Sequence, residues 1–267
     1  MSVISRDDQL ILADAHVHIY DCFDVEQLLD SALINFQNTV QKQDSHKNFL
    51  GILLLTESSG DNYFQEFSST KNQQKWSFQT TQESISLIAS NENNQKLILI
   101  AGRQIVTVEK LEVSALFTNQ TIEDGLSLKA TIKAIIAAEG IPVLPWGFGK
   151  WIGKRGKLIS ELLVNNKFPI LCLGDNGGRP WFWRKPAYFT QAKQHNLRIL
   201  PGTDPLPIAD QFYRPGSFGF MIKANLSKEE PGKELKQMLL DPTTILQNYG
   251  NLESSWQFLR NQIALRN

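Results

Sequence analysis

Asp14-Ala-His16-Val-His18 carries the densest chemistry in this 267-residue chain. Residues two apart on a strand point the same way, so both imidazoles can converge on one point. Imidazole suits zinc, iron and nickel. Histidine is scarce, with His16, His18, His46 and His195 as the full set. Any metal site must be built within that number and completed by carboxylates. Late in the chain, Leu200-Pro-Gly-Thr-Asp204-Pro-Leu-Pro207 ends an apolar run. If first and last strands are neighbours, His16, His18 and Asp204 meet. Asp204 also sits where an Asx-turn residue would, ahead of Pro205, and the two roles are compatible.

Two unusual loops follow apolar runs: Pro145-Trp-Gly-Phe-Gly-Lys-Trp-Ile-Gly-Lys-Arg-Gly156 and Asp175-Asn-Gly-Gly-Arg-Pro-Trp-Phe-Trp-Arg184. They interleave Trp146, Trp151, Trp181 and Trp183 with Lys150, Lys154, Arg155, Arg179 and Arg184. Arginine matches phosphate and carboxylate bidentately, so a small anionic or sugar-like substrate is expected. The same tryptophans suit plain packing at a rim. Asp175 is a candidate general base, or the turn partner of Asn176-Gly-Gly. Arg103 joins the anion site if its segment lines the pocket. Cys172 reads as a small buried apolar residue.

These residues need elements to hold them. Leu10–Ala15 and Phe49–Leu55 are apolar runs without alternation, as expected of strands buried on both faces of a parallel sheet. Between them, Asp24-Val-Glu-Gln27 resembles a capping box. Val25, Leu28, Leu29, Ala32, Leu33 and Phe36 share one helical face, which predicts a helix over about 24–41. Residues 76–118 read as a β-rich excursion with a turn at Asn91–Asn94. Strands at 141–145, 169–173 and 197–200 then alternate with helices near 126–138, 156–166 and 186–195. A helical tail follows near 230–267: Gly232–Leu240, Thr243–Tyr249, and a last helix presenting Trp256, Leu259 and Ile263. Repeated strand–helix units argue for a parallel sheet, closed into a barrel or doubly wound.

Composition removes several classes. Lys+Arg 27 against Asp+Glu 27 leaves no net charge, so no basic surplus points to nucleic acid or to an anionic membrane. Cys22 and Cys172 are too few for a disulfide scaffold or a cysteine-rich zinc module, and a reducing, cytoplasmic setting is expected. Met1–Asp8 has acids where a signal peptide needs a basic and then an apolar stretch. No apolar run approaches the ~18 residues of a membrane span. The sequence leaves oligomeric state open.

Taken in order over residues 8 to 220, the chain resembles the PHP (polymerase and histidinol phosphatase) superfamily of metal-dependent phosphoesterases. Asp14-Ala-His-Val-His18 is similar to that family's opening strand. Gly51-Ile-Leu-Leu-Leu-Thr-Glu57-Ser58 stands where its second strand ends in Thr-Asp-His. Gly102-Arg-Gln104-Ile-Val-Thr resembles its Gly-X-Glu segment, and Glu112–Phe117 the β segment after it. Ile135 to Trp146 is similar to its helix and Gly-Gly…His-Pro strand, and Pro169–Asn176 to its strand ending in Asn. Gly202-Thr-Asp204-Pro-Leu206 resembles the terminal Ser-Asp-X-His. Glu57 and Ser58, Gln104, Trp146 or Pro145, and Leu206 or Pro207 stand where other family ligands belong.

The resemblance thus implies one ion, not a trinuclear cluster. His16, His18 and Asp204 are the ligands that carry over, with Glu57 as candidate fourth. The expected cofactor is one divalent ion (zinc, manganese or iron) or none. Asp204 and Asp175 are the candidate catalytic acids. The implied fold is a single α/β domain, a TIM-like distorted (β/α)7 barrel with an inserted β-rich element. The implied activity is hydrolysis of a small anionic phosphoester by metal-activated water. Two alternatives stand beside it. One is a catalytically degenerate barrel that binds a ligand or protein partner. The other is an amidohydrolase-like enzyme acting on a C–N bond; His46 and His195 are not placed to serve as its further histidines, and a lysine pointing into the barrel beside His16 would favour it.

Overall fold

A computed structural model describes residues 9–43, 48–69, 75–165, 167–183 and 186–265. The chain opens with β1 (Leu10–Val17), α1 (Val25–Gln41) and β2 (Phe49–Leu55). Asp24 caps α1 as its sequence predicts: one carboxylate oxygen accepts from Gln27 N at 3.1 Å, the other from the Gln27 side chain at 3.1 Å. After the short helix α2 (Tyr63–Ser69) come five strands in succession. These are β3 (Trp76–Thr80), β4 (Ser86–Asn91), β5 (Lys96–Ile100), β6 (Gly102–Val106) and β7 (Glu112–Leu116). Strand and helix then alternate through α3 (Leu128–Ala137), β8 (Ile141–Pro145), α4 (Gly153–Asn165), β9 (Cys172–Asn176), α5 (Ala187–Gln194) and β10 (Ile199–Gly202). The chain closes with β11 (Gly219–Lys223), α6 (Pro231–Leu240), β12 (Gln247–Tyr249) and α7 (Ser255–Ala264).

The strands form two mixed sheets, not the expected (β/α)7 barrel. One runs β12-β11-β1-β2-β5-β4-β3 and the other β10-β9-β8-β7-β6. A strand has two edges, and that explains why closure fails. β1 is parallel to β2 on one side and antiparallel to β11 on the other, so β10 finds no free edge on it. β5 is likewise held between β2 and β4, leaving β6 to pair with β7. β11 and α2 have no counterpart in the sequence reading, and the expected helix at Thr243–Tyr249 is instead a turn leading into β12.

The sheets face each other. Ile11, Ala13, Ile52, Leu54 and Ile98 of the larger pack against Leu116, Ile141, Val143, Cys172 and Leu200 of the smaller. Leu10, Leu12, Leu53 and Leu97 look the other way, onto Leu28, Leu29 and Phe36 of α1. On the far side of the smaller sheet, Val113, Leu144 and Leu173 pack on α3, α4 and α5. β2 is covered on both faces, which is why its sequence does not alternate.

The register of β1 against β2 shifts between Asp14 and Val17. Val17 therefore joins Leu10 and Leu12 on the α1 side. His16 and His18 flank Val17 and so turn toward the second sheet. Bulges of this kind re-aim side chains at strand ends. Among the described residues, no helix is long and apolar enough to cross a membrane.

Candidate metal centre

β1 and β10 come together without a ladder. Gly202 makes the approach possible: a Cβ there would lie 2.4 Å from the His16 backbone nitrogen. Asp204 N donates to the His16 carbonyl at 2.8 Å. Asp14, wholly buried, clamps the junction by accepting from Thr203 Oγ1 at 2.6 Å, Thr203 N at 2.9 Å and Gly216 N at 2.9 Å. Burial lifts its carboxyl to about 6, and those hydrogen bonds hold it from rising further. Asp204 itself lies in the left-handed region at φ 48°. That conformation strains a residue with a side chain and persists where surroundings impose it.

The result is a cluster of three acceptor side chains. His16 Nε2 and His18 Nε2 lie 3.0 Å apart, and Asp204 Oδ1 lies 3.5 Å from the first and 3.6 Å from the second. Among the described residues, this is the one group of three or more acids, histidines or cysteines arranged to hold a metal ion. Burial pushes His16 down to about 4 and His18 to about 3, with Lys150 adding to both effects. Both rings are therefore neutral near pH 7, the form that ligates. Burial raises the Asp204 carboxyl, an effect opposed by His18, Lys150 and Arg214.

The donor set fits one cation. Bonds of about 2.0–2.2 Å put ligand atoms about 3.0–3.6 Å apart around a single ion, matching all three separations. Asn176 holds the other oxygen of Asp204 through its amide, and its own oxygen accepts from Gly178 N at 2.6 Å. Such outer contacts orient a ligand. The set departs from that rule at His18, whose buried Nδ1 has no hydrogen-bond partner.

The fourth candidate ligand is engaged elsewhere. Glu57 Oε1 accepts from Phe64 N at 2.6 Å, while Oε2 lies 3.7 Å from Arg103 Nη2. Burial nevertheless raises Glu57 to about 7. Arg103 also reaches Asp61 O and Asn62 Oδ1, each at 3.3 Å, so it serves that corner. Asp175 is bound by Arg179, with Nε on Oδ1 at 2.9 Å and Nη2 on Oδ2 at 3.0 Å. Arg179 adds a bond to Trp183 O at 2.8 Å and is itself buried. That pair holds its loop together. Arg155 binds Gly149 O at 2.9 Å and Lys110 O at 3.3 Å, stitching the other loop, and Lys154 is exposed. Arg184 and His46 lie outside the described residues.

A cleft of about 190 Å³ opens beside the cluster, lined by Asp204, Asn176, Trp146, Lys150, Phe148 and Glu112 among others. Of the loop cations named from the sequence, Lys150 is the one in this lining, and it is ion-paired with Glu112. Trp146 is buried and Trp183 meets its edge at 6.1 Å, whereas Trp151 packs on Tyr188 and Phe189 behind the loop. Larger cavities of about 660 and 580 Å³ lie at the opposite end of the parallel strands, near Phe49 and Lys96 and near Leu10 and Ile222. The cluster of three acceptors is not in either lining.

Sequence reasoning did not place Tyr20 or Glu112 at the site, and it expected the last helix without its place beside the cleft. Tyr20 stacks on His18 with ring centroids 5.3 Å apart. Its phenol is pushed up by burial and by Asp204 and Glu112 nearby, so it stays protonated. The signal was present, since His16, His18 and Tyr20 continue one alternation. Residues of α7 reach the cleft from more than 50 positions beyond Asp204, and no local pattern announces that.

No known protein-family model matches the chain, and no curated protein matches its sequence. Among solved structures, PsfC from Pseudomonas syringae is similar over 97% of this chain and 98% of its own, with a TM-score of 0.59 and 11% identity. At that identity the likeness shows the fold alone. A two-domain protein from Bacteroides vulgatus, described as containing a predicted PHP-like metal-dependent phosphoesterase, overlaps 99% of this chain and 74% of its own. Its TM-score of 0.44 at 13% identity is too low to carry an argument.

Proposed function

We propose that this chain is a metal-dependent hydrolase of small anionic esters, with phosphomonoesters as the best-fitting class. One observation carries the reading: two buried imidazoles and a carboxylate converge, and among the described residues no lysine or arginine is ion-paired with that carboxylate. A divalent cation bound there supplies Lewis-acid polarisation of the ester and lowers the pKa of water to near neutrality. His16 and His18 offer their Nε2 lone pairs, and Asp204 offers Oδ1. Asn176 keeps Asp204 turned toward the pair. Lys150 brings positive charge to the cleft and can trade Glu112 for the oxygens of a phosphoryl group. Tyr20, held protonated, can donate or accept a hydrogen bond but does not serve as a base. In the net reaction a water oxygen bonds phosphorus, the P–O ester bond breaks, and the alcohol leaves with a proton taken from that water. The ordered motifs that resemble the PHP superfamily point the same way.

Metal analysis of the purified protein, paired with hydrolysis of p-nitrophenyl phosphate, tests this. The expected result is about one ion per chain, lost in the His16→Ala, His18→Ala double variant, with activity following the metal. Trace metal that is unchanged in the double variant would sink the proposal. Full metal occupancy without turnover of any phosphomonoester would favour a ligand-binding role at the same centre.

A further inference from the structure

The polarity of α7 is reversed. A helix on a globular surface turns its apolar stripe to the core and its polar side to water. In α7 the one buried residue is Asn261, whereas Trp256, Leu259 and Ile263 are all exposed. At about 100° per residue those three fall within about 60° of one another, so they form a single outward stripe. Phe258 lies on a different side and packs edge-on against Phe148, with ring centroids 5.3 Å apart.

The apolar surface continues past the start of the helix. Ser254 caps α7 by accepting from Gln257 N at 3.2 Å. The residue before it, Glu253, accepts from Trp181 N at 2.9 Å through its carbonyl, and Pro180 bridges to Glu253. Trp181 and Phe182 are thereby set beside the first turn of α7, where Trp256 stands. Trp181 is 67% exposed and Phe182 49%. A fully covered aromatic side chain contributes about 150–250 Å². At their exposures, Trp181, Phe182, Trp256, Leu259 and Ile263 together present about 600 Å² per copy. Soluble monomers seldom leave contiguous apolar patches larger than a few hundred Å² without an interaction to serve.

Charge and area select the occupant. Arg260 is the single charged residue of α7, and it is ion-paired with Asp210. No unpaired charge on the helix is left to attract an acidic or basic partner, and the lysines and arginines that line the polar side of a membrane-surface helix are missing. Interface cores are depleted in charge and enriched in Trp and Phe in just this way. Two such patches face to face bury about 1,200 Å², the size at which stable, specific interfaces begin. A two-fold axis lets one patch serve both sides.

We propose that the protein forms a two-fold dimer in which α7 packs antiparallel on α7 of a second copy, with the axis beside Leu259 and with Trp181 and Phe182 flanking the helix pair. The proposal does not depend on the metal centre.

Sedimentation velocity of the full chain up to about 100 μM tests it, and a dimer is the expected result. Leu259→Glu and Leu259→Lys each set like charges against one another across the axis. Each is expected to weaken association at least about 100-fold with the melting temperature unchanged, because the side chain is exposed. Mixed in equal amounts, the two variants pair again, Glu against Lys. Should the charged variants fail to fold, Trp256→Ala serves, with association expected to weaken at least about tenfold. A wild type that is monomeric at the highest concentration overturns the proposal. If that monomer floats with vesicles of phosphatidylcholine and phosphatidylglycerol, the stripe belongs to a membrane surface. A dimer unaffected by Leu259→Glu and by Trp256→Ala uses another face, and charge variants that stay apart when mixed exclude the two-fold pairing of α7.

Discussion

Asp175 and Asp204 stand at the ends of neighbouring parallel strands and behave in opposite ways. Arg179 forks onto both oxygens of Asp175 and anchors its loop. Asp204 faces two neutral imidazoles instead, and the cations that act on it are each committed elsewhere, Lys150 to Glu112 and Arg214 to Glu253. Position at a strand end therefore says little about a carboxylate's role. Its partner says more. An acid matched by a buried arginine is closed to ligands, whereas an acid facing two ring nitrogens with one amide donor is only partly compensated and is open to a cation.

Substitution at each acid breaks the comparison most sharply. Asp175→Ala strands a buried guanidinium and is expected to destabilise the fold by about 3–5 kcal/mol, with metal content kept in the folded fraction. Asp204→Ala is expected to leave urea stability of the metal-free protein nearly unchanged while metal affinity falls more than about 100-fold. Denaturation curves and chelator competition read the two effects. If both variants lose metal equally, the contrast between the two acids is gone.

Chelation sharpens the same contrast without mutation. A ligand present at about 100–1,000 times its dissociation constant stabilises by about 3–4 kcal/mol. EDTA is therefore expected to lower the melting temperature of the wild type and to leave the His16→Ala, His18→Ala protein where it was. A smaller step comes from Asn176→Ala, which frees the second oxygen of Asp204. Metal affinity is expected to fall about 10–100-fold there, as for other groups that orient ligands. An Asn176→Ala protein with wild-type affinity would mean that Asp204 is held by its backbone alone.

Much of the site was legible because its signals are local. His-X-His on a strand, Gly202 two residues before Asp204, and the Asp24 cap each declare themselves within a few positions. The convergence of His16, His18 and Asp204 rested on barrel closure, and the structure reaches it by another route. Gly202 lets β10 abut His16 without pairing, because β11 already fills that edge of β1. β11 was illegible for a physical reason: Gly219–Lys223 is five residues long and pairs across more than 200 positions. Asp175 differs, because its partner Arg179 stands only four residues on, and a strand-end acid does not by itself announce that pairing. Trp256, Leu259 and Ile263 share a helical face as expected, yet that face is exposed, at 75%, 52% and 55%. It is the other side of α7, with Phe258 and Asn261, that meets the cleft. Periodicity finds a helix but does not say which side a distant cleft will use.

Glu57 is a third kind of acid, and it yields the smallest effect. It has a partial partner, Arg103 at 3.7 Å, and burial still dominates, raising its carboxyl to about 7. Below about pH 4.5 the group is protonated in folded and unfolded chains alike. Between about 4.5 and 7 the unfolded chain has released its proton and the folded chain retains it, so stability falls as pH rises. Above that range both states are ionised and this contribution to the slope ends. The expected loss is about 2 kcal/mol across the window, allowing for the screening by Arg103 and water. Glu57→Gln keeps an acceptor for Phe64 N and removes the titration. Urea denaturation of both proteins at pH 4.5, 6 and 7.5 is expected to show the wild type losing ground to Glu57→Gln as pH rises. Parallel curves would mean that Arg103 compensates Glu57 as fully as Arg179 compensates Asp175, and the corner near β2 would then belong with the closed, structural pair.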